Sequence, residues 1–160
     1  ILAALREFRL PRSLIVAAGG NRSDLTRSID GSFYRRGWLE KQFRTSINVD
    51  DVEFKSPTHK VDCFKNGVAL EVEWNNKDPF YDRDLNNFRL LFELRAIGVG
   101  VVITRSDELQ AIFNALGTGS SYGPSTTHMG KLVPRIEGGG GGGCPILVFG
   151  ITARLYDENA

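Results

Sequence analysis

The stretch His59-Lys-Val-Asp-Cys-Phe-Lys-Asn-Gly-Val-Ala-Leu-Glu-Val-Glu-Trp74 decides the fold, because two alternating apolar runs flank Asn66-Gly67. An Asn-Gly pair in this position is the strongest short-range signal for a β-hairpin. A two-residue turn would place Asp62 directly opposite Glu71. The sequence therefore predicts an antiparallel strand pair over about residues 58–74.

Three carboxylates of the predicted hairpin share one face. Because side chains alternate along a strand, Asp62, Glu71 and Glu73 lie on the same side of the sheet. The opposite face, which we expect to pack on the core, carries Val61, Cys63, Leu70 and Val72. Like charges directly opposite each other destabilise an antiparallel pair, and a divalent cation such as Mg²⁺, which takes carboxylate oxygens as ligands, would compensate. The alternative is a solvated acidic face in which Lys60 neutralises Glu73.

Composition allows one hydrophobic core and offers no membrane span. The 160 residues are 41% hydrophobic, which suits a single domain, and no run of about 18 apolar residues occurs. Residues 1–10 mix charged and apolar positions and predict a short amphipathic helix, not a signal peptide. Cys63 and Cys144 are too few for a disulfide framework and favour a reducing compartment. We therefore expect a cytoplasmic protein.

Charge is distributed unevenly although the net charge is only +1. Residues 1–45 hold nine Lys/Arg and four Asp/Glu, whereas residues 46–110 hold eight and twelve. Residues 111–160 hold three of each. A basic part beside an acidic centre is typical of a metal-dependent enzyme that acts on a polyanion, and a chance distribution is the alternative.

The predicted elements run helix, hairpin, helix, strand, helix, strand. The predicted helices cover residues 1–8, Ser23 or Asp24 to about Arg36, 82–97 and 106–116, with a loop at 19–23 and a short helix or strand at 38–43. The predicted strands outside the hairpin cover residues 52–55, 99–104 and 145–152, the last two as buried strands. Residues 117–131 predict a loop, and the six glycines at 138–143 predict a flexible span. Together they indicate an α/β fold, a mixed β-sheet flanked by helices.

The acidic hairpin resembles the signature of the PD-(D/E)xK restriction endonuclease superfamily. There an acid on one strand is followed on the next by acid-x-Lys, and here Asp62 is followed by Glu71-Val72-Glu73. The third position is similar to the BamHI type, which carries acid-x-Glu, and the BglII type carries Gln. The block Leu70-Glu-Val-Glu-Trp-Asn-Asn-Lys-Asp-Pro-Phe80 particularly resembles the BglII branch, with its aromatic residue and Asn-containing turn. The resemblance covers roughly residues 58–105 and implies a restriction-endonuclease-like fold with this hairpin as active site.

The resemblance also implies a metal-dependent hydrolytic site. Mg²⁺ would be held by Asp62, Glu71 and the carbonyl of Val72, where it stabilises charge on the scissile phosphate and activates water. Glu73 would orient or deprotonate that water, or bind a second metal. Glu40 is a further candidate, because many members carry an acid on an early helix that reaches the metal waters. The alternative for Glu40 is a surface ion pair.

Candidate DNA contacts lie after the hairpin and in the long polar loop. Asn76 is similar to the turn Asn of the BglII branch and would recognise adenine, the alternative being a plain turn residue. The predicted DNA-binding residues are Asn75, Asn76, Lys77, Arg83, Ser120 and Ser121, with Arg89 as a further phosphate candidate. His59 and His128 lie outside any metal-ligand spacing, so we expect surface or loop positions for both, without a metal or acid–base role.

These expectations combine into a single nuclease domain over residues 1–160. Its parts would be a helical N-terminal part at about 1–50, a catalytic core at about 52–116, and a loop and final strand at 117–160. The resemblance implies a Mg²⁺-dependent type II restriction endonuclease that cuts double-stranded DNA at a short palindrome, which in turn implies a homodimer. A cognate DNA methyltransferase acting on the same site is a further expected partner. The alternatives are a structure-specific, defence or repair nuclease of low sequence specificity, and a non-catalytic DNA-binding module.

Overall fold

The computed structural model describes residues 1–17 and 24–160. The predicted loop at 19–23 and the predicted cap at Ser23 therefore lie outside the described residues. The helices are α1 (Leu2–Glu7), α2 (Arg12–Val16), α3 (Asp24–Tyr34), α4 (Pro79–Glu93), α5 (Leu109–Ala115) and α6 (Met129–Glu137), with 3₁₀ helices at Gly119–Tyr122 and Ala153–Leu155. The strands are β1 (Leu10–Pro11), β2 (Leu39–Lys41), β3 (Arg44–Val49), β4 (Val52–Pro57), β5 (Val61–Lys65), β6 (Val68–Glu73), β7 (Val99–Arg105), β8 (Ile146–Ile151) and β9 (Tyr156–Asp157).

The central hairpin forms in the predicted register. Strands β5 and β6 are antiparallel, with Cys63 opposite Leu70 and Lys65 opposite Val68. Asn66 and Gly67 have φ angles of 49° and 76°, which is the pair of left-handed conformations that a two-residue type I′ turn requires. The predicted Asn-Gly turn is thus confirmed. It forms here because Asn and Gly adopt positive φ at low cost.

The main sheet is mixed, as predicted. Its order is β2-β5-β6-β7-β8, in which β6, β7 and β8 are parallel neighbours. Helix α4 connects the hairpin to the parallel strand β7, whose residues 100–105 are all buried. The prediction of a buried final strand is wrong for β8, which forms the sheet edge and leaves Leu147 47% exposed.

Both faces of the sheet pack against helices, so the carboxylate face is also buried. On one face, Cys63, Leu70 and Val72 pack with residues of α1, α3 and α5. On the other, Ala69 and Val102 pack with the apolar stripe of α4. A hairpin with one solvated face would leave Asp62 and the two glutamates in open solvent. Here helices cover that face as well.

Val61 corrects the predicted face assignment. Strand β2 pairs Leu39 with Phe64 and Lys41 with Val61. Between these two pairs, β5 therefore contains one more residue than β2. Such a bulge interrupts the alternation of side chains. Val61 consequently packs in the cluster against α4, on the opposite face from Cys63.

Helix boundaries differ from the prediction at both ends. Helix α4 begins at Pro79, which suits the first helical turn because proline lacks the N–H, and it ends at Glu93. Arg95, two residues later, has a left-handed backbone (φ 57°), so the helix ends before the predicted residue 97. Helix α5 covers Leu109–Ala115, so it begins three residues later than the predicted helix at 106–116.

Some segments carry more structure than predicted. At residues 38–43 the strand of the two predicted options forms, as β2. Strand β4 pairs with β3, a strand that the sequence pattern did not predict. The predicted loop at 117–131 contains a 3₁₀ helix and the start of α6. The glycine run forms turns that lie against α4. The approach is close, since a Cβ on Gly142 would lie 2.7 Å from Cγ of Arg89. No helix among residues 1–17 and 24–160 is long and apolar enough to cross a membrane.

Candidate active site

The first two predicted carboxylates are joined through the backbone of the hairpin. The backbone N–H of Asp62 donates to Oε2 of Glu71 (3.2 Å), and Oδ2 of Asp62 accepts from the N–H of Val72 (3.2 Å). The hydroxyl of Tyr34 on α3 donates to the carbonyl of Asp62 (3.1 Å). These bonds fix the two carboxylates side by side where β5 enters the sheet.

Glu71 and Glu73 extend from β6 toward α4. Their residues are only 1% and 2% exposed, and Asp84 on the facing helix is fully buried. Helix α4 is anchored beneath them by a 2.6 Å hydrogen bond between the hydroxyls of Tyr81 and Thr104 on β7. The structure thus collects four carboxylates, including Asp62, in one largely buried cluster.

Asp84 was missed from the sequence, although a signal was present. Tyr81, Asp84, Leu85 and Phe88 follow the i, i+3, i+4, i+7 spacing of a buried helical stripe. An acid inside such a stripe is uncommon, because a buried charge needs a partner. Asp84 finds one in Arg83, whose Nη2 and Nε lie 2.8 and 3.0 Å from Oδ1.

His59 lies beside the carboxylate cluster, a position that its sequence spacing did not indicate. It does lie in the loop before β5, but its Nε2 is 3.2 Å from Oδ1 of Asp84 and 3.4 Å from Oε1 of Glu71. His59, Glu71 and Asp84 could together hold a metal ion, since one ligand atom from each lies within 4.8 Å of the others. His128 instead pairs with Asp107 at the start of α6, at an Nδ1–Oδ1 distance of 2.5 Å.

Burial and mutual repulsion favour protons on the hairpin glutamates. Burial, Asp84 and Asp62 together raise the pKa of Glu71 well above its ordinary value. Burial and Asp84 raise the pKa of Glu73 to about 10, against the lowering effect of Asn76 and Arg83. In the metal-free protein at neutral pH, Glu73 is therefore protonated, and a bound cation would replace such protons as the compensating charge.

Neighbouring charges are arranged differently from the prediction. Lys60 does not neutralise Glu73; its Nζ lies 3.1 Å from Oε2 of Glu40. Glu40 lies on strand β2 instead of a helix, with its side chain 41% exposed. The cation beside Glu73 is Arg83, at 3.5 Å from Oε1.

The candidate DNA-binding segments form one surface next to the cluster. Asn75 donates to the carbonyl of Ser121 (3.0 Å), and Lys77 forms a bridge with Thr126. Asn76 donates from Nδ2 to Oε2 of Glu73 (2.7 Å), which links this surface to the buried carboxylates. The exposed members of the predicted set are Asn75, Asn76, Lys77, Arg83, Ser120 and Ser121.

Buried Arg105 holds the second of these segments in place. Its guanidinium donates to the carbonyls of Thr127 and Tyr122 (both 3.0 Å) and to Oγ1 of Thr126 (2.8 Å). It lies above the rings of Phe113 and Tyr122. Sequence reasoning missed Arg105, because a charged residue ending a buried strand gives no pattern of its own.

The fold and the cluster agree with a family comparison. A profile of the restriction endonuclease BglII/BglIII family matches residues 1–151. This chain belongs to the BglII/BglIII restriction endonuclease family. The match reaches well beyond residues 58–105, so the N-terminal and C-terminal parts belong to the family fold as well. None of the curated proteins matches the chain.

Membership in the BglII/BglIII family confirms the predicted activity. The protein is a type II restriction endonuclease, a deoxyribonuclease whose substrate is double-stranded DNA. The acidic hairpin, the Asn-containing turn and the mixed sheet are the features by which the sequence predicted it. No finding favours the nuclease of low specificity or the non-catalytic module.

Proposed function

We propose that the hairpin cluster is a Mg²⁺-dependent active site for hydrolysis of DNA phosphodiester bonds. One observation carries this proposal: Glu71 and Glu73 are buried beside Asp62 and the fully buried Asp84, so the oxygens of four carboxylates lie in one cluster. Oxygen ligands select hard cations such as Mg²⁺. The donor set therefore fits the ion, and a bound cation would replace the protons that burial favours on the two glutamates.

The Mg²⁺ ligands in this proposal are Asp62, Glu71 and the carbonyl of Val72. When bound, Mg²⁺ supplies charge stabilisation at the scissile phosphate and lowers the pKa of a coordinated water. The chain's own part is to hold the ligands in place before substrate arrives. The N–H of Val72 holds Asp62, and the N–H of Asp62 holds Glu71, so little reorganisation is needed.

Glu73 acts in this account as a positioning residue and not as the general base. A general base works best when its pKa lies near the operating pH, whereas burial raises the pKa of Glu73 to about 10. A protonated Glu73 is chemically close to the Gln found in the BglII type. It accepts a hydrogen bond from Asn76 and contacts Arg83, so it organises the groups that face the DNA.

The proposed DNA-binding surface combines the turn after β6 with the loop around the 3₁₀ helix. Asn75, Asn76, Lys77 and Arg83 come from the first segment, and Ser120 and Ser121 from the second. Amide and hydroxyl groups suit base edges, and the cations suit phosphates. Glu40 with Lys60 forms a surface ion pair, and we assign it no catalytic role.

The remaining parts of the proposal concern the assembly. We infer a homodimer that recognises a short palindrome, because a two-fold protein matches a two-fold DNA site. Cleavage would leave 5′-phosphate ends. An enzyme of this kind shares the cytoplasm with chromosomal DNA, so a methyltransferase that modifies the same site is the expected partner.

The direct test is incubation of the protein with unmethylated plasmid and phage DNA in Mg²⁺ or in excess chelator. We expect sharp fragments in Mg²⁺ and none in chelator, and sequencing of the fragment ends gives the site and the terminal phosphate. A smear of products would contradict the palindromic site. Equal cleavage in chelator would contradict the metal dependence.

A further inference from the structure

Three buried ligand atoms converge on one point beside the proposed Mg²⁺ ligands. Nε2 of His59 lies 3.2 Å from Oδ1 of Asp84 and 3.4 Å from Oε1 of Glu71. At 3.2 Å a hydrogen bond would be expected. Yet within the described part of the chain, Nε2 of His59, Oε1 of Glu71 and Oδ2 of Asp84 are buried without a hydrogen-bond partner.

The separation between His59 and Glu71 matches the edge of a tetrahedral coordination shell. Zn²⁺ binds His nitrogen and carboxylate oxygen at about 2.0–2.2 Å, so two ligands at the tetrahedral angle are roughly 3.3–3.5 Å apart. An octahedral shell with bonds near 2.1 Å gives adjacent ligands only about 3.0 Å apart. The observed 3.4 Å between Nε2 of His59 and Oε1 of Glu71, both without a hydrogen-bond partner, lies close to the tetrahedral value.

The ligands are held by a supporting shell of hydrogen bonds. Arg83 donates twice to Oδ1 of Asp84, and the N–H of Asp62 donates to Oε2 of Glu71. Oε1 of Glu71 is thereby directed toward His59, and Oε2 toward Asp62. Hydrogen bonds to ligating carboxylates are what orients them in metal sites generally.

We propose that His59, Glu71 and Asp84 form a second cation site that takes a divalent transition-metal ion of the Zn²⁺ or Co²⁺ class. An imidazole ligand favours such ions over Mg²⁺, which prefers all-oxygen surroundings. Glu71 would bridge the two sites, one oxygen to each. The inference rests on the proposed function only through this shared glutamate.

Co²⁺ is the probe that separates this site from the Mg²⁺ site, because its visible absorption reports bound ligands without any cleavage. We expect the protein at pH 7.5 in excess Mg²⁺ to bind Co²⁺ with a protein-dependent absorption band. His59→Gln should weaken Co²⁺ binding at least about tenfold, the minimum expected when metal-site partners are lost. His128→Gln is the matched control, because it changes the chain's other histidine, and it should bind Co²⁺ as the parent does.

Two further variants distinguish the possible outcomes. Asp62→Asn removes a proposed Mg²⁺ ligand and should keep the Co²⁺ band, whereas Asp84→Asn should lose it, with circular dichroism confirming the fold. If His59→Gln does not fold, the Co²⁺ absorption of Asp84→Asn tests the second site in its place. Retention of the band in His59→Gln or Asp84→Asn, or its loss in Asp62→Asn, would overturn the second site. A Co²⁺ band in a protein that does not cleave DNA in Mg²⁺ would refute the proposed function alone.

Discussion

Glu73 illustrates how burial changes the chemistry of a single residue. Its folded-state pKa is raised to about 10, so the folded chain holds a proton that the unfolded chain releases near pH 4.5. By linkage, the stabilising contribution is complete below about pH 4.5 and is lost as pH rises toward 10. Glu73→Gln, which cannot titrate, should therefore unfold less readily than the parent at pH 8 in chelator.

We expect this gain in unfolding free energy to reach at least about 1.4 kcal/mol, the equivalent of one pKa unit, and to vanish near pH 4. Urea unfolding at the two pH values measures it. Glu53→Gln, on the exposed face of β4, is the control and should show no such pH dependence. The same stabilisation at pH 4 and pH 8 would show that Glu73 does not hold the proton.

The role of Glu73 in catalysis gives a second prediction. Because the account makes it a positioning residue, Glu73→Gln should keep cleavage within about tenfold of the parent, the loss expected when a metal-site partner is altered but not removed. The pH–rate profile should be unchanged, since the residue that titrates in the profile is not Glu73. Loss of activity together with loss of the acidic limb of the profile, where a general base becomes protonated, would identify Glu73 as the base instead.

Arg105 gives a prediction about the DNA-facing loop. Lysine cannot reproduce the forked donors that hold two carbonyls and Thr126, so Arg105→Lys leaves buried acceptors unsatisfied. We expect a loss of about 2–4 kcal/mol in unfolding free energy, together with weaker DNA binding. Arg154→Lys, at an exposed position, is the control and should change neither quantity. Unchanged DNA binding in Arg105→Lys would show that this loop does not take part in DNA recognition.

At the residue scale, the sequence predicted the groups whose spacing is local. Asp62, Glu71 and Glu73 follow from counting outward along a hairpin. His59 and Asp84 come from a loop and a helix, and they meet Glu71 only after α4 packs on the sheet. Hydrophobic periodicity predicts the structure within one element, and it does not predict which residues of two distant elements come into contact.

At the element scale, the packing of α4 on β7 positions Asp84 and can be tested at Gly100. A Cβ on Gly100 would lie 2.5 Å from Cδ2 of Phe88 and 2.9 Å from Cδ1 of Ile146. Overpacking of this kind typically costs about 1–3 kcal/mol, or roughly 2–12 °C in melting temperature for a chain of this size. Thermal unfolding of Gly100→Ala should show that decrease.

Gly98→Ala is the matched control for this measurement. No described atom lies within 4 Å of a Cβ at Gly98, and its φ angle is not in the left-handed region. Its melting temperature should remain within about 2 °C, since exposed substitutions usually change stability by less than 0.5 kcal/mol. Equal decreases in both variants would contradict the α4 contact as the cause, since the loss of backbone entropy in the unfolded chain stabilises both variants.

Elements with strong local signals were predicted well, and those that depend on partners were not. The hairpin, α4 and β7 follow from turn chemistry and apolar periodicity. Strand β3 has few apolar positions and exists because β4 pairs with it. The bulge that turns Val61 to the other face likewise depends on pairing with β2, which lies twenty residues earlier in the chain.

At the scale of the whole molecule, the proposed palindrome predicts the stoichiometry of the complex. Once fragment ends reveal the site, a duplex carrying both half-sites should bind two chains, and one carrying a single half-site should bind more weakly. Native mass measurement in Ca²⁺, without cleavage, gives the number of chains per duplex. One chain per full site at saturation would contradict the homodimer.

The whole-molecule fold was predicted from about a third of the chain. The motif at residues 58–105 implied the family, and the profile match over residues 1–151 extends membership to segments without a motif of their own. Those segments supply packing, such as α1 and α3 against the hairpin, and cores tolerate many apolar sequences. Their role in the fold is therefore difficult to predict from the sequence alone.

The most direct test of the central claim is the single-turnover cleavage rate of Asp62→Asn, with Asp51→Asn in the exposed β3–β4 turn as the matched control. Loss of a metal ligand should remove several kcal/mol of transition-state stabilisation. The account therefore predicts a rate at least about 1000-fold below the parent, with site binding in Ca²⁺ retained, while Asp51→Asn cleaves normally. Cleavage by Asp62→Asn at the parental rate would show that the hairpin carboxylates are not the active site.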